Sequence, residues 1–253
     1  MRPTLSRPVQ LMLSVIFIAQ MYVAMVIYAL IWTIPALISR ELAYRAVHAY
    51  CSWVRRSAAV LVGLKSEVRG PVPTTEVLIA AKHQSFFDII IIASALPRPK
   101  FIMKRELIYT PILGQFALRI GCIPVDRGGR GAAIAKMKAD VTRGTALPGQ
   151  LVIYPQGTRV APGDSKPYKM GAGLLYSQLE QPCVPVATNV GVFWPKRGLL
   201  RHPGVAVVEF LDPIAPGLTI VDFMARIEAE VEAASDRLMH EAGFGGGRHG
   251  DAA

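Results

Sequence analysis

An uncharged apolar run near the start of the chain limits its possible folds more than any other feature. No charged residue occurs from Val9 to Ser39, and Arg7 and Arg40 bound the run. As one helix its 31 residues would extend about 46 Å, against about 30 Å of bilayer hydrocarbon. The run therefore predicts a membrane anchor, either a tilted span or a helix broken near Pro35.

The next segment, residues 41–64, has a polar stripe along an otherwise apolar helix. The stripe has helical spacing and consists of Glu41, Arg45, His48, Ser52 and Arg55. Its basic residues, with Tyr50 and Trp53 alongside, favour a helix that lies at an anionic lipid surface. The alternative is a helix packed on the core of a domain. We expect residues 1–68 to form an N-terminal membrane anchor with an interfacial helix.

The charge distribution indicates the class of partner. The net charge is +10, although residues 222–253 carry seven acidic and only three basic side chains. The positive excess in the rest of the chain favours anionic partners, such as phospholipid or phosphorylated substrates. We expect no nucleic-acid partner, because the apolar run assigns the chain to the lipid bilayer and no nucleic-acid-binding motif is present.

Flanking charges and cysteines indicate the compartment. More basic residues follow the apolar run than precede it, which favours the inner (cytoplasmic) membrane with the C-terminal domain facing the cytoplasm. A re-entrant anchor would show similar charges. Cys51, Cys122 and Cys183 have neither paired nor metal-ligand spacing, as expected in a reduced compartment.

Beyond residue 69, short apolar runs alternate with helix-like stretches. The runs are residues 77–81, 101–103, 122–125, 151–154, 184–190 and 205–211. The helix-like stretches are residues 86–95, 111–120, 131–143, 171–179 and 222–240. This alternation predicts an α/β domain over residues 69–242, with a largely parallel sheet flanked by helices. Residues 243–253 have too few apolar side chains to pack and are predicted to be disordered.

Ligands of open α/β sheets gather at the carboxyl ends of the strands. The stretch KHQSFFD, residues 82–88, occupies such a position. One interpretation is a capping box, with Ser85 as N-cap and Asp88 at the third helical position. The other is catalytic: Asp88 fixes the tautomer of His83, whose free nitrogen then accepts a proton. The chain has no G-x-S-x-G motif, and Cys122 lies in an apolar run, so the pair favours direct activation of a substrate hydroxyl.

Two further stretches suit anion binding. GCIPVDRGGRGAA places Arg127 and several glycines before a helix, where backbone amides and arginines contact phosphates. In YPQGTR, Gly157 permits a tight turn and Arg159 offers a guanidinium. Taken singly, each is equally compatible with a solvated loop.

Four stretches in this order, KHQSFFD, GCIPVDR, YPQGTR and CVPVA, resemble the ordered blocks of the glycerolipid acyltransferase family. The resemblance implies O-acyl transfer from acyl-CoA or acyl-carrier protein to the sn-2 hydroxyl of 1-acylglycerol-3-phosphate, giving phosphatidic acid. It implies a membrane-bound enzyme of phospholipid biosynthesis with a lysophospholipid acceptor. It implies no metal or redox cofactor.

The resemblance also implies residue roles. His83 would be the base and Asp88 its orienting partner. Lys104, Arg127 and Arg159 would hold the acceptor's phosphate, and backbone amides of residues 122–125 would stabilise the oxyanion. The substrate-binding block would be completed by Gln156, Gly157 and Thr158.

Two positions depart from the family pattern and leave the acceptor open. Gln156 stands where glutamate is usual, and Lys82 where asparagine is common. Another lysolipid, such as a lyso-ornithine lipid, is the nearest alternative acceptor. A thioesterase or lipid hydrolase, with His83 activating water, is a less favoured alternative. In a non-catalytic lipid-binding protein, KHQSFFD would be only a capping box.

Overall fold

The computed structural model describes residues 5–125, 139 and 148–245. The predicted helix at residues 131–143 and the predicted phosphate ligand Arg127 lie outside these ranges, apart from residue 139. So does most of the predicted disordered tail. The described chain begins with two long helices, α1 (Arg7–Ile38) and α2 (Arg40–Leu61), and α2 runs back along α1.

Within the described ranges, a sheet of seven strands follows the two helices. Its strands are β1 (Leu64–Arg69), β2 (Leu78–Ala81), β3 (Pro99–Lys104), β4 (Ile123–Val125), β5 (Gln150–Ile153), β6 (Cys183–Thr188) and β7 (Gly204–Phe210). Their spatial order is β1-β7-β6-β2-β5-β3-β4. All neighbours are parallel except β6 and β7. The prediction of a largely parallel sheet is confirmed.

Helices cover both faces of the sheet. They are α3 (Phe86–Ala95), α4 (Leu113–Arg119), α5 (Gly171–Leu179), the single turn α6 (Val190–Phe193) and α7 (Ile220–Glu241), and a 3₁₀ turn spans Arg105–Tyr109. Side chains alternate between the faces of a strand. In β2, Ile79 and Ala81 join the core formed with α1 to α3, whereas Leu78 and Ala80 join the core formed with α5 and α7.

The sheet begins earlier than the sequence suggests. β1 starts at Leu64, within the segment 1–68 that the sequence assigns to the anchor, and pairs in parallel with β7. It lies at the edge of the sheet, and of its six residues only Leu64 is buried. Because β1 is polar and contains no apolar run, the sequence pattern does not predict it.

Both ends of α1 are bonded to the rest of the molecule. Near its start, the Gln10 side-chain amide donates to the Val62 and Arg201 carbonyls at 3.0 and 2.8 Å. Near its end, the Arg119 guanidinium donates to the carbonyls of Ala36 and Leu37 at 2.8 and 2.9 Å. The predicted break near Pro35 is wrong, since α1 continues through this proline to Ile38. The helix thus lies along the domain, with its outer face exposed.

The polar stripe of α2 faces the domain. His48 Nε2 lies 2.9 Å from the Leu96 carbonyl, and the Arg55 guanidinium donates to the hydroxyls of Ser66 and Ser94 at 2.7 and 2.8 Å. The prediction that this stripe lies against lipid is therefore wrong for His48 and Arg55. The alternative, a helix packed on the domain, is confirmed for this face.

Candidate active site

The exit of β2 carries a complete capping box. Ser85 is the N-cap of α3, and its hydroxyl accepts from the Phe87 amide at 3.2 Å. The Asp88 carboxylate reaches back, where Oδ2 accepts from the amides of Ser85 and Gln84 at 2.7 and 2.9 Å. The first interpretation of KHQSFFD, a capping box, is confirmed.

The second carboxylate oxygen of Asp88 contacts the histidine. His83 Nδ1 lies 2.9 Å from Asp88 Oδ1. Asp88 is fully buried, whereas the His83 side chain is 14% exposed. Because the carboxylate accepts at Nδ1, it favours the tautomer with hydrogen on Nδ1 and leaves Nε2 able to accept a proton. The cap and the histidine contact therefore use different oxygens of one carboxylate and do not compete.

Tyr154, at the exit of β5, supports the imidazole from one side. Its ring is stacked on that of His83, with ring centroids 4.1 Å apart and planes 21° apart. Burial, and then the negative charge of Asp88, raises the pKa of the Tyr154 hydroxyl well above its usual value. The phenol therefore stays neutral, and the stack limits rotation of the His83 ring.

The loop after Tyr154 brings the backbone next to Arg159 against that of His83. Gly157 adopts φ +68°, a left-handed conformation that glycine accommodates best, and its amide donates to the Tyr154 carbonyl at 2.8 Å. The Val160 amide then donates to the His83 carbonyl at 2.8 Å. Arg159 and Thr158 are half-buried. The predicted tight turn at Gly157 is confirmed, and it joins the exits of β2 and β5.

Lys82 points away from His83, to the opposite face of the sheet. It is 2% exposed, and its ammonium contacts both carboxylate oxygens of Glu232 on α7, at 2.6 and 2.5 Å. The Tyr168 hydroxyl donates to Glu232 Oε1 at 2.9 Å, and the Gln156 amide lies 3.4 Å from the same oxygen. Glu232 thus supplies a carboxylate next to the position where Gln156 lacks one.

The remaining predicted site residues lie further from the histidine. Lys104 ends β3, which β5 separates from β2, and its ammonium pairs with Glu106 at 2.9 Å on the exposed surface. The Cys122 amide donates to the Ala117 carbonyl at 2.9 Å, so it is not available to an oxyanion. Burial raises the pKa of the Cys122 thiol to about 12, as expected of an inert thiol.

Comparison with known proteins gives the family of the chain. A family model described as Acyltransferase matches residues 65–189, a range that includes both strand exits. The human 1-acyl-sn-glycerol-3-phosphate acyltransferase beta is 30% identical over 194 residues, which cover 74% of this chain and 70% of the human protein. The chain belongs to the acyltransferase family.

Two further proteins similar to this acyltransferase are bacterial. A 1-acyl-sn-glycerol-3-phosphate acyltransferase of Pseudomonas aeruginosa is 28% identical over 188 residues, which cover 71% of this chain and 73% of that protein. The crystal structure of PlsC, the 1-acyl-sn-glycerophosphate acyltransferase from Thermotoga maritima, superposes with a TM-score of 0.77. The superposition covers 90% of this chain and 95% of PlsC. Because the identity is 18%, this likeness supports the fold alone.

Sequence reasoning missed two partners of the acyltransferase site. Glu232 lies 150 residues from Lys82, inside an acidic helix whose other carboxylates are mostly exposed. The second partner is Tyr154, the tyrosine of YPQGTR. The alternation that buries Val152 also directs Tyr154 toward the face of the sheet that carries His83. Lys82 directly follows the apolar run 77–81, and a lysine at the end of a buried strand is the one sequence signal of an acidic partner.

Proposed function

We propose that this acyltransferase moves a fatty acyl chain from acyl-CoA or acyl-carrier protein to the sn-2 hydroxyl of 1-acylglycerol-3-phosphate, giving phosphatidic acid for phospholipid synthesis. The observation that carries the proposal is the contact of 2.9 Å between His83 Nδ1 and the buried carboxylate of Asp88, at a strand exit shared with Arg159. The printed names of the human and P. aeruginosa relatives support the choice of acceptor.

The pair suits direct transfer without an acyl-enzyme. His83 Nε2 accepts the proton of the acceptor hydroxyl while the hydroxyl oxygen attacks the thioester carbonyl carbon. Asp88 stabilises the imidazolium that forms, because it accepts from Nδ1 in the buried site. When the tetrahedral intermediate collapses, the carbon–sulfur bond breaks, and the thiolate takes the proton from Nε2. Base catalysis of this kind contributes about 10² to 10⁴ in rate.

Arg159 is the described residue best placed to bind the acceptor's phosphate. A guanidinium can donate two parallel hydrogen bonds to phosphate oxygens. The hydrogen bond from the Val160 amide to the His83 carbonyl holds the backbone next to Arg159 against the strand exit that carries the base. Holding the acceptor in one orientation matters, because alignment of two bound reactants contributes about 7 to 11 kcal/mol. Lys104 and Arg127 remain predicted ligands.

We also propose that α1 attaches the enzyme to the membrane. In the part of the chain that the structure describes, it is the one helix long and apolar enough to cross a bilayer. Its bonds to the domain at both ends favour a helix embedded in one leaflet over a spanning helix. The outer face supports this, since Leu30, Ile34 and Leu37 are 77%, 70% and 70% exposed. We further propose that the domain lies on the cytoplasmic side of the inner membrane, which the excess of basic residues after the apolar run favours.

A matrix of donors and acceptors tests the proposed function. Purified protein in detergent is given acyl-CoA or acyl-carrier protein with 1-acylglycerol-3-phosphate, a lyso-ornithine lipid or no acceptor. We expect the highest kcat/KM with 1-acylglycerol-3-phosphate. A higher kcat/KM with the lyso-ornithine lipid would show that the proposed acceptor is wrong, while the acyl-transfer reaction would stand. Release of free fatty acid at the same rate with and without acceptor would indicate a thioesterase or hydrolase instead.

A further inference from the structure

Residues 194–201, which follow α6, bring a second cation to Arg159. The Lys196 ammonium donates to the Arg159 carbonyl at 2.9 Å, and an Arg159 guanidinium nitrogen lies 3.5 Å from the Lys196 carbonyl. The two residues thus exchange backbone contacts in both directions, and both side chains are half-buried. Each cation thus contacts the backbone of the other, at the loop whose Val160 amide donates to the His83 carbonyl.

Neither cation has a carboxylate partner in the part of the chain that the structure describes. Lys82 and Arg69, in contrast, pair with Glu232 and with Glu67 and Glu241. Partial burial of a charged group costs free energy, and a carbonyl oxygen compensates only part of that cost. An anion between Arg159 and Lys196 would compensate it more fully.

The same segment is attached to α1. The Trp194 ring lies 5.4 Å from the Phe17 ring of α1, edge to face. At the other end of the segment, the Arg201 amide donates to the Ser14 hydroxyl of α1 at 2.9 Å. Lys196 therefore lies between the helix proposed to contact lipid and the loop that carries Arg159. This is where the headgroup of an acceptor held in the membrane would approach His83.

We propose that Lys196 is a specificity-determining residue that binds, together with Arg159, the anionic headgroup of the lipid acceptor. The inference rests on the proposed function, in which the acceptor carries a phosphate. Its role differs from a general attraction to anionic lipid, which every exposed cation of the chain shares. The neighbouring Arg197 is exposed and carries the same charge, so it provides a matched control.

Steady-state kinetics in nonionic-detergent micelles test Lys196→Met against Arg197→Met. We expect Lys196→Met to raise the KM for 1-acylglycerol-3-phosphate about tenfold, the loss of one charge-assisted contact worth about 1.4 kcal/mol, with kcat and the donor KM within twofold. Arg197→Met should leave all three within twofold, and Lys196→Arg should recover most of the acceptor KM. Equal effects of the two methionine variants, or an effect confined to the donor KM, would overturn the inference.

A binding measurement separates this inference from the proposed function, because it needs no turnover. The melting midpoints of the wild type and the variants are measured with and without sn-glycerol 3-phosphate. We expect the ligand to raise the midpoints of the wild type and of Arg197→Met equally, and to raise that of Lys196→Met clearly less. A ligand-dependent rise in Lys196→Met equal to that of the wild type would contradict the inference, even if 1-acylglycerol-3-phosphate proved to be the substrate. The midpoints without ligand report whether each variant is folded.

Discussion

Asp88 and His83 are joined by a contact of 2.9 Å between Oδ1 and Nδ1, while Asp88 Oδ2 accepts two backbone amides. One carboxylate therefore caps α3 and orients the imidazole at once. The hydrogen bonds from the two backbone amides hold the carboxylate in a fully buried position, and the carboxylate in turn holds the imidazole ring. The rigidity of the cap is thus a condition for the geometry of the proposed base.

Asp88→Asn tests the orienting role. An asparagine is similar in shape but offers one oxygen in place of two, so it cannot accept from both the backbone amides and Nδ1 as the carboxylate does. We expect kcat for acyl transfer to fall by about 10² to 10⁴. The measurement is the initial rate of transfer at saturating donor and acceptor.

Ser85→Ala is the control, because it removes a cap contact and leaves the Asp88–His83 contact in place. It should destabilise the protein by about 1 kcal/mol, seen as a lower melting midpoint, with kcat within threefold. If Ser85→Ala lowered kcat as much as Asp88→Asn, the cap alone would account for both effects and the orienting role would be lost.

Exchanging the side chains of Gln156 and Glu232 tests whether the two residues depend on each other. Gln156→Glu would place a second carboxylate next to Glu232, whose Oε1 lies 3.4 Å from the Gln156 amide. Like charges at that distance repel, so we expect a lower melting midpoint and a higher acceptor KM. In Gln156→Glu/Glu232→Gln one carboxylate remains near Lys82, and both quantities should return most of the way to wild type.

A double-mutant cycle over these two positions gives the coupling directly. Residues in one hydrogen-bonded network show interaction energies of about 0.5 to 3 kcal/mol. Strictly additive effects of the two substitutions would mean that Glu232 has no energetic interaction with Gln156 in the loop after β5.

Buried thiols predict the effect of alkaline pH on stability. Burial raises the pKa of Cys122 to about 12 and that of Cys183 further above the ordinary value of 9.0. The stability of the folded protein is therefore unaffected by these thiols below about pH 9 and falls as the pH rises from about 9 toward 12. In that range the thiols of the unfolded chain ionise, whereas those of the folded chain stay protonated. The unfolding free energy should fall by up to about 1.4 kcal/mol per pH unit for each thiol.

Urea unfolding at pH 7.5 and pH 10 measures this slope for the wild type and for Cys122→Ala/Cys183→Ala. The variant should lose less stability between the two pH values. The folded wild type should also resist iodoacetamide at pH 8 and keep its activity. Rapid inactivation by alkylation of Cys122 would instead point to a reactive thiol and a covalent mechanism.

The outer face of α1 predicts how the enzyme binds membranes. Leu30 and Ile34 are 77% and 70% exposed, and burying two such side chains in hydrocarbon favours binding by about 3 to 6 kcal/mol. Leu30→Glu/Ile34→Glu should therefore greatly reduce co-sedimentation with vesicles. Val221→Glu, at a site that is 71% exposed on α7, is the matched control and should sediment like the wild type. Equal sedimentation of both variants would contradict the assignment of α1 as the anchor.

The sequence was most informative where a pattern is local. The buried runs of β2 and β5, the helix over residues 86–95 and the capping box all follow from neighbouring residues, and the structure has them within a residue or two. Four blocks in a fixed order indicated the family. The contact between His83 and Asp88 follows from the turn between β2 and α3, which returns the chain on itself.

Contacts between distant segments could not be predicted. Whether the stripe on α2 met lipid or protein depended on Ser66, Ser94 and Leu96, and no periodicity in α2 specifies them. The pairing of Lys82 with Glu232 and that of Lys196 with Arg159 depend on how α7 and the segment after α6 pack. A single sequence records the charges of these residues but not their neighbours.

The most direct test of the central claim is the rate at which purified His83→Ala transfers labelled acyl chains from acyl-CoA to 1-acylglycerol-3-phosphate. If His83 is the base, the rate should fall by at least about 10², while the melting midpoint and vesicle binding stay close to those of the wild type. Undiminished transfer by a folded, membrane-bound His83→Ala enzyme would contradict the account.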